Sequence, residues 1–256
     1  MTRQERLKYI SELAVEQGEI SNDQLEKTLK VSLMTIHRDL DELERQGIVR
    51  KIRNGATALP SSSFESNFQF RLSRAQEEKA RLCEHMATSI VAGDTIFIDE
   101  STTLLPIVPY LEGIADLTII TNFMPLQQKL ADIPSVKLVG LGGEYLNRYE
   151  TMSGPICARA VSQFHATKYL TSSSAVDGAN IYHPDIAITV VKRAMLKAAD
   201  HSTLVFDHSK VGRRALNVVA RMNEFDAIVT DQPLPKDIKL APLVEEKIVV
   251  VKPSPA

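Results

Sequence analysis

The sequence predicts an α/β protein in two parts: a small helical head closed by a winged hairpin, and a larger α/β body on a mostly parallel sheet. Three observations predict it. Apolar residues recur at helical spacing three times before Gly47, and an alternating apolar and basic run then leads to Asn54-Gly55. Composition shifts at Pro60, where Pro60-Ser61-Ser62-Ser63 and the residues to Gln69 lack periodicity. Beyond it, seven short apolar runs alternate with helical stretches, as a parallel sheet requires. The expected division is a head over 1–59, a linker over 60–73 and a body over 74–256.

The first head helix is expected over 3–17, with Leu7, Ile10, Leu13 and Ala14 inward and Gly18 ending it. Ser21 is a good N-cap for the second, with Gln24 in capping-box position and Leu25 and Leu29 inward. Val31-Ser32 makes a short turn, and Ser32 caps the third helix, whose stripe is Leu33, Ile36, Leu40 and Leu43. That stripe leaves Met34, Thr35, His37 and Arg38 facing outward near the helix start. Ile48-Val49-Arg50-Lys51-Ile52-Arg53 then forms a wing strand before the Asn54-Gly55 turn signal.

A short turn, an outward Thr/His/Arg face and a basic hairpin together point to double-stranded DNA. A helix-turn-helix presents the start of its second helix to the major groove. Arg38 suits guanine or a phosphate, Thr35 and Ser32 suit bases or backbone, and Met34 suits a thymine methyl. His37 shares that face, while Arg50, Lys51 and Arg53 are placed to reach the DNA backbone or minor groove.

Charge alone does not advertise this partner. The 256 residues carry a net charge of -2, with 44% hydrophobic and 24% charged residues. That excludes a disordered tail and a strongly basic binder. Positive charge is instead local, at Lys27, Lys30 and His37-Arg38, and again at Arg45, Arg50, Lys51 and Arg53. No apolar run approaches the roughly 20 residues that span a bilayer, and the N-terminus lacks the apolar stretch of a secretory signal. A membrane partner is therefore not expected, and a cytoplasmic location is. Cys83 and Cys157 have no ligand or redox spacing and fit a reducing compartment. Neither a metal nor any other cofactor is expected.

In the body, strands are expected at 95–99, 117–121, 136–139, 168–171, 203–206, 227–229 and 248–251. Helices are expected at 77–92, 104–111, 187–199 and, more weakly, 156–164. Ligands of such sheets bind beyond the carboxyl ends of the strands. Three of these ends carry suitable chemistry. Asp99 and Glu100 precede Ser101, Thr102 and Thr103 at a helix start, where hydroxyls and backbone N–H groups suit an anion and the acids suit sugar hydroxyls. Thr121-Asn122 is the second, and Gly142-Gly143, permitting close backbone approach, the third. Lys210, in Asp207-His208-Ser209-Lys210-Val211-Gly212, offers a positive charge to an anionic ligand.

The run Val31-Ser32-Leu33-Met34-Thr35-Ile36-His37-Arg38-Asp39-Leu40, followed by Arg53-Asn54-Gly55-Ala56, resembles the head of the DeoR family of bacterial transcription regulators. The family usually has a second arginine at the position of His37 and Gly-Gly-Ala at 54–56. Asp99-Glu100-Ser101-Thr102-Thr103 is similar to the family's Asp-x-Gly-Thr-Thr motif, with Ser101 in place of glycine. Thr121-Asn122, Gly142-Gly143, Asp207-x-Ser209-Lys210-x-Gly212 and Thr230-Asp231 follow in family order, and Arg71 and Glu78-Lys79 match the entry to the sensor. The resemblance implies a sensor related in fold to ribose-5-phosphate isomerase and CoA transferases. It also implies a homo-oligomer (dimer or tetramer) that represses a carbohydrate-catabolism operon and responds to a phosphorylated sugar. The segment Thr121 to Leu126 and the Arg53-Asn54-Gly55-Ala56 variant resemble the branch governing ascorbate use, which implies a sugar-acid ligand.

A sugar-phosphate isomerase-like enzyme is the rival. Val176-Asp177-Gly178-Ala179-Asn180 resembles the isomerases' Asp-Gly-Ala-Asp-Glu segment, but Asn180 and Ile181 stand where that segment has two carboxylates. Enediol isomerisation needs a base, and an amide cannot serve as one. Binding without turnover is the expectation.

Overall fold

In a computed structural model, residues 1–58, 68–235, 238 and 240–253 are described. The chain forms two compact units, Met1–Arg74 and Ala75–Ala256.

The first unit contains α1 (Arg3–Gln17), β1 (Glu19–Ser21), α2 (Asn22–Leu29), α3 (Leu33–Arg45), β2 (Val49–Ile52), β3 (Gly55–Ala58) and α4 (Phe68–Ser73). Thr2 and Glu5 cap α1 reciprocally. Gly18 ends it at φ 77°. Ser21 Oγ accepts from Gln24 N (3.1 Å), but the Gln24 side chain donates to Gln17 Oε1 (3.0 Å) and no capping box closes. Ile10, Leu25, Ile36, Leu40, Leu43 and Ile48 fill the core. Leu33, expected on that stripe, is 44% exposed, because the first turn of α3 projects beyond the core. Buried Asp39 ties α3 to α1, accepting from Arg6 Nε at 2.8 Å.

The antiparallel order β1-β3-β2 makes the wing a three-stranded sheet, and β1 was not foreseen. Ile52 pairs with Gly55, so the turn is Arg53-Asn54 and Gly55 already belongs to β3. Glycine is needed there for closeness rather than for φ. A Cβ on Gly55 would lie 1.9 Å from the Ile20 carbonyl oxygen in β1. Of the expected linker, 60–67 lies outside the described residues, whereas Phe68–Ser73 is helical and Phe70 enters the head core.

The second unit centres on a seven-stranded sheet ordered β15-β14-β12-β9-β4-β5-β6, with every pairing parallel. The strands are β4 (Thr95–Ile98), β5 (Leu117–Thr121), β6 (Val136–Gly140), β9 (Ala166–Thr171), β12 (Ala199–Phe206), β14 (Ala227–Thr230) and β15 (Ile248–Val250). All seven expected strands are present. Helices α5 (Gln76–Ala87), α7 (Gly154–Val161) and α8 (Ile186–Lys197) are the expected ones, each starting one or two residues earlier and ending sooner than expected. The stretch expected as a helix over 104–111 is a 3-10 helix, Leu105–Tyr110, that includes Pro106 and Pro109. Proline cannot donate the bond an α-helix requires.

Smaller elements escaped prediction: α6 (Met124–Leu130), α9 (Pro242–Glu245), the hairpin of β7 (Glu144–Leu146) and β8 (Thr151–Ser153), and a second sheet of β10 (Ala175–Asp177), β11 (Asn180–His183) and β13 (Asn217–Arg221). Phe97, Ile120, Tyr169, Val191 and Met195 pack one core cluster, and Val176, Leu204, Phe206 and Ile228 another. The chain leaves β4 for β5 on one side, and β9 later lies on the other. The carboxyl ends of β4 and β9 therefore flank a topological switch point, where open α/β sheets hold ligands.

Candidate nucleic-acid interface and effector site

On the first unit, Ser32 Oγ caps α3 by accepting from Thr35 N (3.4 Å) and lies 3.0 Å from Thr35 Oγ1. Both hydroxyls therefore serve the cap, with Ser32 exposed and Thr35 half-buried. Met34 is 67% exposed, and His37 and Arg38 are exposed beside it on the first turns of α3. This is an apolar group, an imidazole and a guanidinium on one rigid, capped helix start.

The wing residues differ among themselves. Arg50 and Arg53 are exposed and, among the described residues, pair with no carboxylate. Lys51 is half-buried, its Nζ bonded to Asp41 Oδ1 and its backbone N donating to Glu44 Oε1 at 2.7 Å. The Lys51 ammonium holds the Asp41 carboxyl below its ordinary range. Lys51 thus joins the wing to α3, a use the sequence pattern did not disclose.

On the second unit, polar residues are buried beyond the strand ends: Asp99 to Thr103 after β4, Asn122 after β5, Ser172 to Ser174 after β9, Asp207 after β12 and Asp231 after β14. Across the switch point, Ser172 Oγ donates to Thr103 Oγ1 at 3.3 Å. Lys192, from α8, spans the same gap. Its Nζ donates to Asp99 Oδ2 (2.7 Å) and to the Ser172 carbonyl (3.1 Å) and lies 2.9 Å from Glu100 Oε1.

Asp99 is fully buried, and Tyr169 Oη (2.6 Å) and Thr171 Oγ1 also donate to its Oδ2. Burial pushes the Asp99 carboxyl up against the pull of Lys192, with the charge of Glu100 adding to the rise. Burial acts to lower Lys192, but Asp99 and Glu100 outweigh it and hold the ammonium above its ordinary value. Lys192 therefore stays charged. Asp99 anchors the loop through Oδ2, while its Oδ1 meets no partner among the described residues.

The remaining candidates divide. Thr121 Oγ1 accepts from Phe123 N (3.1 Å), and Asn122 Nδ2 donates to the Met152 carbonyl (2.8 Å), which fixes the amide and leaves Oδ1 without a partner among the described residues. Ser101 Oγ accepts from Thr103 N (3.1 Å). Gly142 is exposed after β6. Gly143 serves packing, since a Cβ there would lie 2.6 Å from the Ser153 carbonyl oxygen and 2.8 Å from Cys157 Cβ. Lys210 is buried.

Two cations at this loop were not among the expected site residues, although Lys79 stands in the Glu78-Lys79 match noted above. Lys192 stands in a plain amphipathic helix, and Lys79, buried on α5, donates to Thr102 Oγ1 at 3.2 Å. A lysine at an inward helical position was the available signal for both. Burial pushes the Cys83 and Cys157 thiols up to about 12, so neither is a nucleophile. Among the described residues no group of His, Cys, Asp and Glu is arranged to hold a metal, and no helix is long and apolar enough to cross a membrane.

Comparison with known proteins agrees with both units. The DeoR-like helix-turn-helix domain matches residues 6–62, and the DeoR C terminal sensor domain matches residues 74–232. The glycerol-3-phosphate regulon repressor of Escherichia coli K12 is 32% identical over 239 residues, covering 93% of this chain and 94% of that one. The HTH-type transcriptional repressor GlcR of Bacillus subtilis is 30% identical, over 91% and 90%. Among solved structures, ribose-5-phosphate isomerase A from Neisseria gonorrhoeae is similar at a TM-score of 0.39, with 14% identity over 53% of each chain. The chain belongs to the DeoR family of transcription regulators.

Proposed function

We propose that the protein is a cytoplasmic homo-oligomeric repressor of a carbohydrate-catabolism operon, binding its double-stranded operator and released or engaged by a phosphorylated sugar or sugar acid. The observation that carries the DNA-binding part is the capped start of α3, which presents Met34, His37 and Arg38 to solvent beside exposed Arg50 and Arg53. The relatives named as repressors of sugar-related regulons support the operon class. The effector site is the switch point, with Ser101, Thr102 and Thr103 as hydroxyl donors, Lys210 as counter-charge, and Asp99 and Asn122 turned to the hydroxyl-bearing part of the ligand. Control is linkage: an effector that prefers one arrangement of the oligomer shifts the DNA heads with it.

Turnover is not part of this reading. Asp177 ends β10, just before the turn in which Gly178 takes φ 57°, and its carboxylate pairs with Arg214. Asn180 and Ile181 lie in β11. The test is fluorescence anisotropy with the DNA upstream of neighbouring catabolic genes, with and without a panel of sugar phosphates and sugar acids. Sequence-specific binding that Arg38→Ala weakens and one panel member modulates is expected. Binding indifferent to sequence would overturn the repressor reading. Steady consumption of a panel member, abolished by Asp177→Asn, would favour the isomerase.

A further inference from the structure

Leu33 and Met34 open α3 with 44% and 67% of their surfaces exposed. The head core takes in Val31 and Ile36 on either side and leaves Leu33 out. The hydroxyls beside them are engaged in the helix cap, Ser32 Oγ accepting from Thr35 N and lying 3.0 Å from Thr35 Oγ1. Helical side chains lean toward the N-terminus, so residues 33 and 34 lead α3 into any groove it enters. One turn behind, His37 follows Leu33 and Arg38 follows Met34 at i+4 spacing, both exposed. The leading edge of α3 is therefore apolar and its second row polar. Exposed Arg38, Arg50 and Arg53 around that edge favour a polyanion over an apolar protein surface. Among the base edges of the major groove, only thymine presents an apolar group, its C5-methyl.

We propose that Leu33 and Met34 together read thymine C5-methyl groups in the major groove, which makes Leu33, assigned to the core by its helical spacing, a specificity-determining residue for the operator. The proposal rests on α3 being the helix that enters the groove. The competing role is a protein contact, with the apolar edge covered by a second copy of the chain.

The test uses the full-length protein and a duplex that it selects from a random library. Each thymine of that duplex is replaced in turn by deoxyuridine, which removes the C5-methyl and leaves the hydrogen-bonding edge intact. Fluorescence anisotropy gives the thymine-to-uracil affinity ratio at each position for wild type, Leu33→Ala, Met34→Ala and Arg50→Ala. Circular dichroism checks folding and light scattering the oligomeric state. Wild type should bind about fourfold more weakly when a contacted thymine loses its methyl, the worth of one buried group of that size. Leu33→Ala and Met34→Ala should each bring the ratio to one at a thymine, whereas Arg50→Ala should weaken every duplex alike and keep the ratio. Sequence-specific binding with no thymine sensitive to deoxyuridine would overturn the proposal and leave the repressor reading in place. A selection that converges on no sequence would overturn both. A ratio unchanged in either alanine variant would remove that residue from the readout, and an altered oligomeric state with it would point to the protein contact instead. If Leu33→Ala does not fold, Leu33→Gln, which keeps length without the apolar end, decides by the same ratio.

Discussion

Lys192 Nζ sits 2.7 Å from Asp99 Oδ2, with both side chains almost wholly buried and the two residues 93 positions apart in the chain. This one bond fastens α8 to the end of β4, and the Ser172 carbonyl extends it to the end of β9. Lys192→Met should therefore cost about 3–5 kcal/mol, the usual result of leaving a buried carboxylate without its partner. Urea denaturation measures it. Adding Asp99→Asn to Lys192→Met should restore part of the loss, because the amide carries no charge to strand. The sign with pH also follows. Asp99 has a raised pKa in the folded state, so its contribution is fully favourable below the unfolded value and is lost as pH rises through the folded one. Without Lys192 that rise grows, so the deficit should be largest at neutral pH and shrink on acidification.

Asp207 should behave in the opposite sense. Its folded pKa is depressed, since Lys210, Ser209 and Lys79 outweigh burial. The stability it contributes is present above the unfolded carboxylate pKa and is lost as pH falls through the folded value. Asp207→Asn should consequently be less stable than wild type at pH 7. The difference should hold steady down to roughly pH 4, the ordinary aspartate value, and close below it. A difference that widens on acidification would contradict the assignment.

Gly55→Ala tests why the wing contains a glycine. The added methyl would fall 1.9 Å from the Ile20 carbonyl oxygen, and backbone cannot swing aside as a side chain can. The β1–β3 pairing must give way, at about 3 kcal/mol or more, at the upper end of overpacking costs. Loss of DNA binding with the second unit's unfolding transition unchanged is the expected signature. Asn54→Ala at the turn should be nearly neutral by the same measurement.

Much of this architecture is legible because strand and helix periodicity are local. The seven apolar runs of the parallel sheet and the stripe Ile36, Leu40 and Leu43 declare themselves without knowledge of their partners. What escaped is set by distant chain segments. Leu33 has the right spacing but projects past the core, and β1 exists only because β3 lies beside it. Gly55 reads as a turn residue until the approach of Ile20 is known. In the sensor, the loop Asp99 to Thr103 is visible as a motif, whereas Lys192 and Lys79 meet that loop only when α8 and α5 are packed against the sheet. A lysine at a buried helical position carries no local mark of the carboxylate it will meet.

The wing offers a graded test of charge at the DNA interface. Each phosphate neutralised contributes about 0.9 to the slope of log affinity against log salt. Arg53 stands exposed at the turn, and Arg50 is exposed on β2, so neutralising either should remove up to about one unit of that slope. Lys51 already spends its charge on Asp41. For Lys51→Ala the slope should change less, and any loss of affinity should come from a loosened wing and persist at high salt. Asp41→Asn separates the two causes: it frees Lys51 without removing it, so the slope should steepen if the ammonium then reaches a phosphate. Salt titrations of operator affinity for these four variants decide the ranking, and a slope change for Lys51→Ala equal to that for Arg53→Ala would show that the Asp41 pair yields on binding.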